Sequence, residues 1–168
     1  PVQIHPMDIS IVGSGYVGTT IAACFADLGH DVVNVDVDEG VVASINDGDA
    51  PIHEPGLAER VEQNAGDGLR ATTDYAAIRD TDVTFLALPT PSNADGSIDR
   101  SIVEAGAESV ADALAAKDDR HVVVVKSTVI PGTTEELVGE ALDAREGNDL
   151  GETVGIGMNP EFLREGSA

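Results

Sequence analysis

The sequence predicts a single α/β domain built on a doubly wound, mostly parallel β-sheet. Short runs that are apolar throughout alternate along the chain with longer segments whose apolar residues recur at helical spacing. Glycines and prolines separate these runs, and right-handed crossovers between parallel strands place helices on both faces of the sheet. The chain has 168 residues, of which 42% are hydrophobic, enough for one domain with its own core.

The predicted elements follow one another as strand, helix, strand, helix. Apolar runs predict strands at Asp8–Gly13, Asp31–Asp36, 69–73, Asp82–Leu88, 121–128 and 153–158. Helical spacing predicts helices over 16–29, Glu39–Asn46, Leu57–Ala65 and Arg100–Ala116, and a further helix that begins at Thr133. Glu136 stands three residues after Thr133, which is the spacing of a capping box. The prolines and glycines of 47–56 and 89–99 predict loops.

The stretch "VGSGYVG" places Gly13, Gly15 and Gly18 in the G-x-G-x-x-G spacing between the first strand and the first helix. In such a Rossmann turn the first glycine permits a tight turn, the second lets a pyrophosphate approach the backbone, and the third lets helix and strand pack closely. A glycine-rich turn without a ligand is the alternative, which this context disfavours. No G-K-[ST] follows, so the loop is not a P-loop.

Asp36 ends the second predicted strand, 18 residues after Gly18. At this position a carboxylate accepts hydrogen bonds from an adenosine ribose. A carboxylate beside a 2′-phosphate would cost roughly 4 kcal/mol per charge pair at a surface-like dielectric. The sequence therefore predicts NAD, rather than NADP, as the cofactor.

The charge balance is strongly acidic. Asp and Glu number 31, Lys and Arg number 9, and the formal net charge is -22. Nucleic acid and anionic membranes are therefore disfavoured partners. Either the protein is kept soluble in molar salt or an acidic surface binds a basic partner. The acidic residues are spread along the chain, which favours salt adaptation because a docking patch would be localised.

Cellular location is predicted from what the chain lacks. No apolar run reaches the ~18 residues of a membrane span, and no charged-then-apolar leader opens the sequence. Cys24 is the single cysteine, and its place in the first helix predicts a small buried apolar role. The histidines show no metal-ligand spacing. We therefore expect a cytoplasmic protein without a metal site.

Three loops rich in proline, glycine and small hydroxyl residues follow predicted strands. They read "LPTPSNADGSID", "KSTVIPGTT" and "MNPEFLREGSA". Ligands of doubly wound sheets bind beyond the carboxyl ends of the strands, where these three loops would converge. Each loop alone is typical of ordinary turns, but together they predict a binding site.

Five stretches in order carry a resemblance to a known family: "IVGSGYVG", "DAPIHEPGL", "LPTPSNADGSID", "VKSTVIPGT" and "NPEFLREGSA". The chain resembles the nucleotide-binding half of the UDP-glucose/GDP-mannose dehydrogenases. The resemblance implies that residues 1–168 form an NAD-binding domain and that the dimerisation and substrate domains of the family lie outside them. It also implies oxidation of the primary alcohol of a nucleotide sugar to a carboxylate with two NAD, and a homodimer in the full-length protein. UDP-glucose is the first choice of substrate and GDP-mannose the second.

The resemblance also implies residue roles. Cofactor-binding residues would be Gly13, Gly15, Tyr16, Val17, Gly18, Asp36, Thr90, Thr128 and Glu165. Catalytic residues would be Glu161, Thr128 and Glu165. The sugar-nucleotide pocket would begin with Glu161, Phe162, Leu163 and Arg164.

The motifs leave open the conformation of the last segment and the strength of NAD binding. Glu161 and Glu165 would share one face if their segment is helical, and Asn159 and Pro160 suit the cap and first position of such a turn. A frayed, solvated tail is the alternative. The lysine that the family usually has after the ribose-binding aspartate is missing here, which predicts weaker NAD binding.

Other functions are compatible with part of this pattern. A non-catalytic NAD-binding module would need the glycine loop but not Glu161 or Glu165. A methyltransferase also uses a glycine-rich turn, but the full G-x-G-x-x-G spacing and the later motifs disfavour it.

Overall fold

The computed structural model describes residues 5–129, 132–163 and 166. Six parallel strands form one sheet in the order β3-β2-β1-β4-β5-β6. They are β1 Asp8–Val12, β2 Asp31–Val35, β3 Leu69–Thr72, β4 Val83–Leu86, β5 His121–Val125 and β6 Val154–Met158. The chain reverses its winding direction between β1 and β4, which is where doubly wound folds hold their ligands. The predicted fold class is therefore confirmed.

Five α-helices connect the strands in the part of the chain that the structure describes. They are α1 Tyr16–Asp27, α2 Glu39–Asn46, α3 Leu57–Asn64, α4 Ser101–Leu114 and α5 Glu140–Asp143. Predicted and observed bounds of the first four differ by at most two residues. A 3₁₀-helix at Tyr75–Asp80 was not predicted.

The predicted capping box at Thr133 is wrong. Thr133 is already helical, with φ -61° and ψ -34°, and its side chain makes no capping bond. A capping residue typically has an extended backbone, so the backbone of Thr133 is not that of a cap. The amide of Glu136 donates to the carbonyl of Gly132 instead, at 2.9 Å, and Thr134–Gly139 winds as a π-helix before α5 begins.

Each face of the sheet carries its own apolar core. On one face α4 buries Ala107, Val110 and Leu114 against the strands. On the other face α1 buries Ala22 and Ala23 beside residues of α3. Both faces of the strands are therefore covered, which explains why apolar residues dominate their sequences.

Cys24 is exposed, so its predicted burial is wrong. The core-facing positions of α1 are taken by Ala22, Ala23 and Ala26. Successive helical residues are rotated by about 100°, and Cys24 falls on the solvent side of this stripe.

A chain of polar side chains runs through the sheet and ends on His121, which is only 1% exposed. Its Nδ1 donates to the carbonyl of Thr81 at 2.9 Å, which fixes the tautomer, and Thr84 donates its hydroxyl to Nε2 at 2.8 Å. Ser10 lies 2.6 Å from the Thr84 hydroxyl and continues the chain. This arrangement suits a neutral imidazole, and burial lowers the pKa of His121 to about 4.

We expect this histidine to make the domain less stable in acid. The folded-state pKa lies below the unfolded value, so the contribution is complete above about pH 6.5 and is lost as pH falls toward 4. The full loss is roughly 3 kcal/mol of unfolding free energy. Urea unfolding at several pH values in this range should show that the free energy of unfolding falls more steeply with decreasing pH in wild type than in His121→Gln. Equal slopes in the two proteins would contradict the assignment.

None of the helices described in the structure has the length and apolar character that crossing a membrane requires.

Candidate functional site

A cavity of about 720 Å³ opens at the carboxyl ends of the strands, beside the point where the winding reverses. The glycine loop, the segments after β2, β4 and β5, and one residue after β6 all contribute to its wall. The lining residues that the sequence singled out are Gly13, Gly15, Tyr16, Val17, Asp36, Thr90, Thr128 and Glu161. The structure thus brings together parts of all three loops that follow predicted strands.

The three glycines of the loop have three different environments. Gly13 has a φ of +100°, and a Cβ there would lie 2.5 Å from the carbonyl oxygen of Ala87. At Gly18 a Cβ would lie 2.0 Å from the carbonyl oxygen of Gly13, so α1 packs against the turn at a distance that only glycine permits. At Gly15 a Cβ would meet no atom within 4 Å. Gly15 therefore leaves open space at the surface, while the other two allow close backbone packing.

The N-terminus of α1 opens into this cavity. Gly15 occupies the capping position with an extended backbone and supplies no capping side chain, and the first turn contains no acidic residue. Tyr16 and Val17 of this turn line the cavity. Free amide groups and the positive end of the helix dipole make such a terminus a site for a phosphate group.

Asp36 lies at the end of β2 and is half-buried. Its Oδ2 accepts a hydrogen bond from the amide of Ser14 at 2.7 Å, and its Oδ1 accepts one from the amide of Asp38 at 3.0 Å. These contacts fix the carboxylate against the glycine loop. Each oxygen keeps a lone pair for a ligand hydroxyl.

Asn34 supports the glycine loop from below, a role that the sequence did not reveal. It is fully buried, and its Nδ2 donates to the carbonyls of Ile11 and Gly13 at 2.9 and 3.1 Å. Its Oδ1 accepts from the hydroxyl of Ser14 at 3.0 Å. The only sequence signal was a single amide residue within the otherwise apolar run "DVVNV".

Hydroxyl groups join the loops after β4 and β5. The Ser127 hydroxyl accepts from the amide of Leu88 at 2.9 Å and donates to the carbonyl of Leu88 at 2.6 Å. Thr90 donates to the carbonyl of Thr128 at 3.1 Å, while the side chain of Thr128 is exposed at the cavity. Sequence reasoning selected the two threonines and missed Ser127, which holds the two strand ends together.

Glu161 forms a buried ion pair with Lys126. The Lys126 Nζ lies 2.9 Å from Oε2 of Glu161, and the two side chains are 12% and 7% exposed. The other carboxylate oxygen, Oε1, accepts a hydrogen bond from the amide of Leu163. Burial raises the pKa of Glu161, but the Leu163 amide and the Lys126 ammonium outweigh it, so the pKa lies below its usual value.

The segment after β6 is ordered by contacts but is not helical at 159–163, so the predicted cap at Asn159 does not form there. The hydroxyl of Tyr16 donates to the carbonyl of Leu163 at 3.1 Å, which ties this segment to the glycine loop. A frayed tail is thus wrong for these residues. Phe162 projects outward and is 86% exposed.

Two predicted site residues, Arg164 and Glu165, lie outside the described residues. Just beyond them, the amide of Gly166 donates to the carboxylate of Glu54. Glu54 is buried and belongs to the loop that connects α2 with α3.

The sheet order, the glycine turn before α1 and the acidic residue at the end of β2 together define a dinucleotide-binding domain of the Rossmann type. Residues 7–168 match the description "UDP-glucose/GDP-mannose dehydrogenase family, NAD binding domain". The chain belongs to this family, and its cofactor is NAD.

Individual relatives agree with this assignment. UDP-glucose 6-dehydrogenase AglM of Haloferax volcanii is 65% identical over 162 residues, which are 96% of this chain and 38% of that protein. Among solved structures, a UDP-glucose dehydrogenase of Pyrobaculum islandicum has a TM-score of 0.91 at 44% identity and is matched over 100% of this chain and 39% of its own. A ternary complex of GDP-mannose dehydrogenase of Pseudomonas aeruginosa has a TM-score of 0.91 at 41% identity, over 94% and 37%. The chain thus spans under two fifths of the length of each relative.

Proposed function

We propose that this domain takes part in the oxidation of the C6 alcohol of UDP-glucose to the carboxylate of UDP-glucuronate. Two hydride transfers to NAD would be needed, with one water supplying the second carboxylate oxygen. The observation that carries the proposal is the buried carboxylate of Glu161, paired with Lys126, in the wall of the same cavity that the glycine loop enters. A module that only bound NAD would not need a buried carboxylate there.

The first step of the proposal concerns how NAD is held. The pyrophosphate would lie over Gly15 at the N-terminus of α1, with Gly13, Tyr16 and Val17 around it and Gly18 fixing the turn. Asp36 would accept hydrogen bonds from the adenosine ribose. NAD supplies the hydride acceptor when it is bound.

The adenine ring would lie in an adjoining cavity of about 330 Å³, which shares Asp36 and Val37 with the first cavity. Its wall is mostly apolar or aromatic and includes Val37, Tyr75, Ile102 and Ala105. A flat, apolar-faced base suits such a surface.

The second step concerns the proton of the alcohol. When a hydride leaves a primary alcohol, a base must accept the hydroxyl proton, directly or through water. The Leu163 amide and the Lys126 ammonium favour the ionised form of Glu161, which lines the same cavity as Thr128, so its carboxylate would accept or position that proton. Thr128 and Glu165 would assist at the reacting end of the cofactor, and the exposed Phe162 with Leu163 and Arg164 would begin the sugar-nucleotide pocket.

The choice of UDP-glucose rests on likeness. The relative at 65% identity is a UDP-glucose 6-dehydrogenase, whereas the GDP-mannose 6-dehydrogenase of Pseudomonas aeruginosa is 42% identical. GDP-mannose is therefore the second candidate. We further propose a cytoplasmic homodimer whose dimerisation and substrate-binding segments lie outside residues 1–168.

The proposal is tested by NADH formation in the full-length protein that contains this domain, in molar KCl. We expect two NADH per UDP-glucose and at least ~100-fold lower kcat/KM with GDP-mannose. Glu161→Gln should lower kcat by about 10²- to 10⁴-fold without weakening NAD binding. Faster turnover of GDP-mannose would reverse the substrate choice. NAD binding without turnover of either sugar would favour the non-catalytic module.

A further inference from the structure

The ion pair between Lys126 and Glu161 is placed by the sheet itself. Strands β5 and β6 are parallel neighbours, and the amide of Asn159 extends their ladder by donating to the carbonyl of Val125 at 3.0 Å. Lys126 follows β5 directly, and Glu161 lies a short distance beyond the end of β6. Adjacent carboxyl ends thus bring the ammonium and the carboxylate to one point of the cavity wall.

The surroundings of Glu161 do not favour a charge without this partner. The carboxylate is nine-tenths buried, and an isolated buried carboxylate takes up a proton. The other ionisable side chains in the cavity wall are Tyr16, Asp36 and Asp38, none of which offers positive charge. Among the described residues that line the cavity, Lys126 is the single basic one.

Both oxygens of the carboxylate have a partner. Oε1 is engaged by the amide of Leu163. Oε2 is buried and lies 2.9 Å from the Lys126 ammonium, which donates a hydrogen bond to it. Each carboxylate oxygen has two lone pairs, so each can accept one further hydrogen bond from a hydroxyl group or a water.

We propose that Lys126 is a positioning residue, whose ammonium keeps the Glu161 carboxylate ionised and fixed in the cavity wall so that this carboxylate accepts a proton from the sugar alcohol or from the attacking water. The proposal rests on the function proposed above. A glutamate can act as a proton acceptor or as a proton donor. With Lys126 present, Glu161 begins the reaction ionised and accepts a proton. Without Lys126, it would begin protonated and could only donate one. Only the first role suits removal of a hydroxyl proton during alcohol oxidation.

The ionisation itself is measured on the 168-residue chain, independently of catalysis. Carbon-13 labelling of the glutamate carboxyls, with the Glu161 signal assigned by its loss in Glu161→Gln, reports the titration midpoint by NMR. We expect a midpoint below the usual glutamate range in wild type and Lys126→Arg, and a midpoint at higher pH in Lys126→Met and Lys126→Gln. Circular dichroism identifies the neutral variant that stays folded for this comparison. Coincident titrations of wild type and a folded neutral variant would overturn the proposal.

The consequence for the reaction is measured in the full-length protein with UDP-glucose. Lys126→Met should lower kcat at neutral pH by at least about tenfold, and activity should recover as pH rises and Glu161 ionises. Lys126→Arg should keep the wild-type pH profile, because its guanidinium supplies the same charge. A uniform loss of kcat at every pH would indicate a merely structural role and contradict the proposal. If wild type turns over no nucleotide sugar, the proposed function fails while the titration still tests the ion pair.

Discussion

Gly15→Val is expected to weaken NAD binding by at least ~100-fold and to change the free energy of unfolding by less than about 1 kcal/mol. In the domain without cofactor a Cβ at this position meets no atom within 4 Å, and its φ of -69° suits any residue. A bound pyrophosphate must approach the backbone at this same point, so the new side chain would occupy the ligand's space. Calorimetric titration with NAD measures the first effect, and urea unfolding the second.

The control for Gly15→Val is a substitution in the adjoining helix α1 that does not change the cavity wall. Thr20→Val is such a change, because Thr20 lies in α1 outside the cavity lining and its hydroxyl has no hydrogen-bond partner among the described residues. NAD affinity should be unchanged in this variant. Wild-type affinity in Gly15→Val would show that the pyrophosphate lies elsewhere.

Gly18→Ala is expected to lower the free energy of unfolding strongly, unlike Gly15→Val. A Cβ at this position would lie 2.0 Å from the carbonyl oxygen of Gly13, which is backbone and cannot rotate away. α1 would have to move off the turn, and overpacking of this kind costs about 3 kcal/mol or more. Urea unfolding measures this loss of unfolding free energy. Gly15→Ala is the matched control because it adds the same methyl group to open space. Equal stabilities of the two alanine variants would contradict the packing role of Gly18.

Much of the fold could be predicted from local pattern because apolar residues dominate most strands and recur at helical spacing in the helices. Glu39–Asn46 was predicted to the residue, since Asp38 accepts from the amides of Gly40 and Val41 and so starts the helix locally. The π-helix at Thr134–Gly139 could not be predicted in this way. A π-helix is rare, and the composition of this segment is that of an ordinary helix.

The site was predictable where its chemistry lies in one short stretch. Gly13, Gly15 and Gly18 act through backbone geometry, which a spacing reveals. The pairing of Lys126 with Glu161 forms only when β5 and β6 lie side by side, so neither stretch alone indicated it. The role of Asn34 could not be predicted for the same reason. Its side-chain amide donates to the carbonyls of Ile11 and Gly13, which a different part of the chain supplies.

The central claim is that this cavity holds NAD with Asp36 on the adenosine ribose. The most direct measurement is calorimetric titration of the chain with NAD and with NADP in molar KCl, for wild type and for Asp36→Asn, which removes the charge but keeps the shape. We predict that wild type binds NAD, that it binds NADP at least about tenfold more weakly, and that Asp36→Asn weakens NAD binding and narrows the difference. Equal affinities of wild type for NAD and NADP, or an Asp36→Asn variant that binds both as wild type does, would contradict the claim.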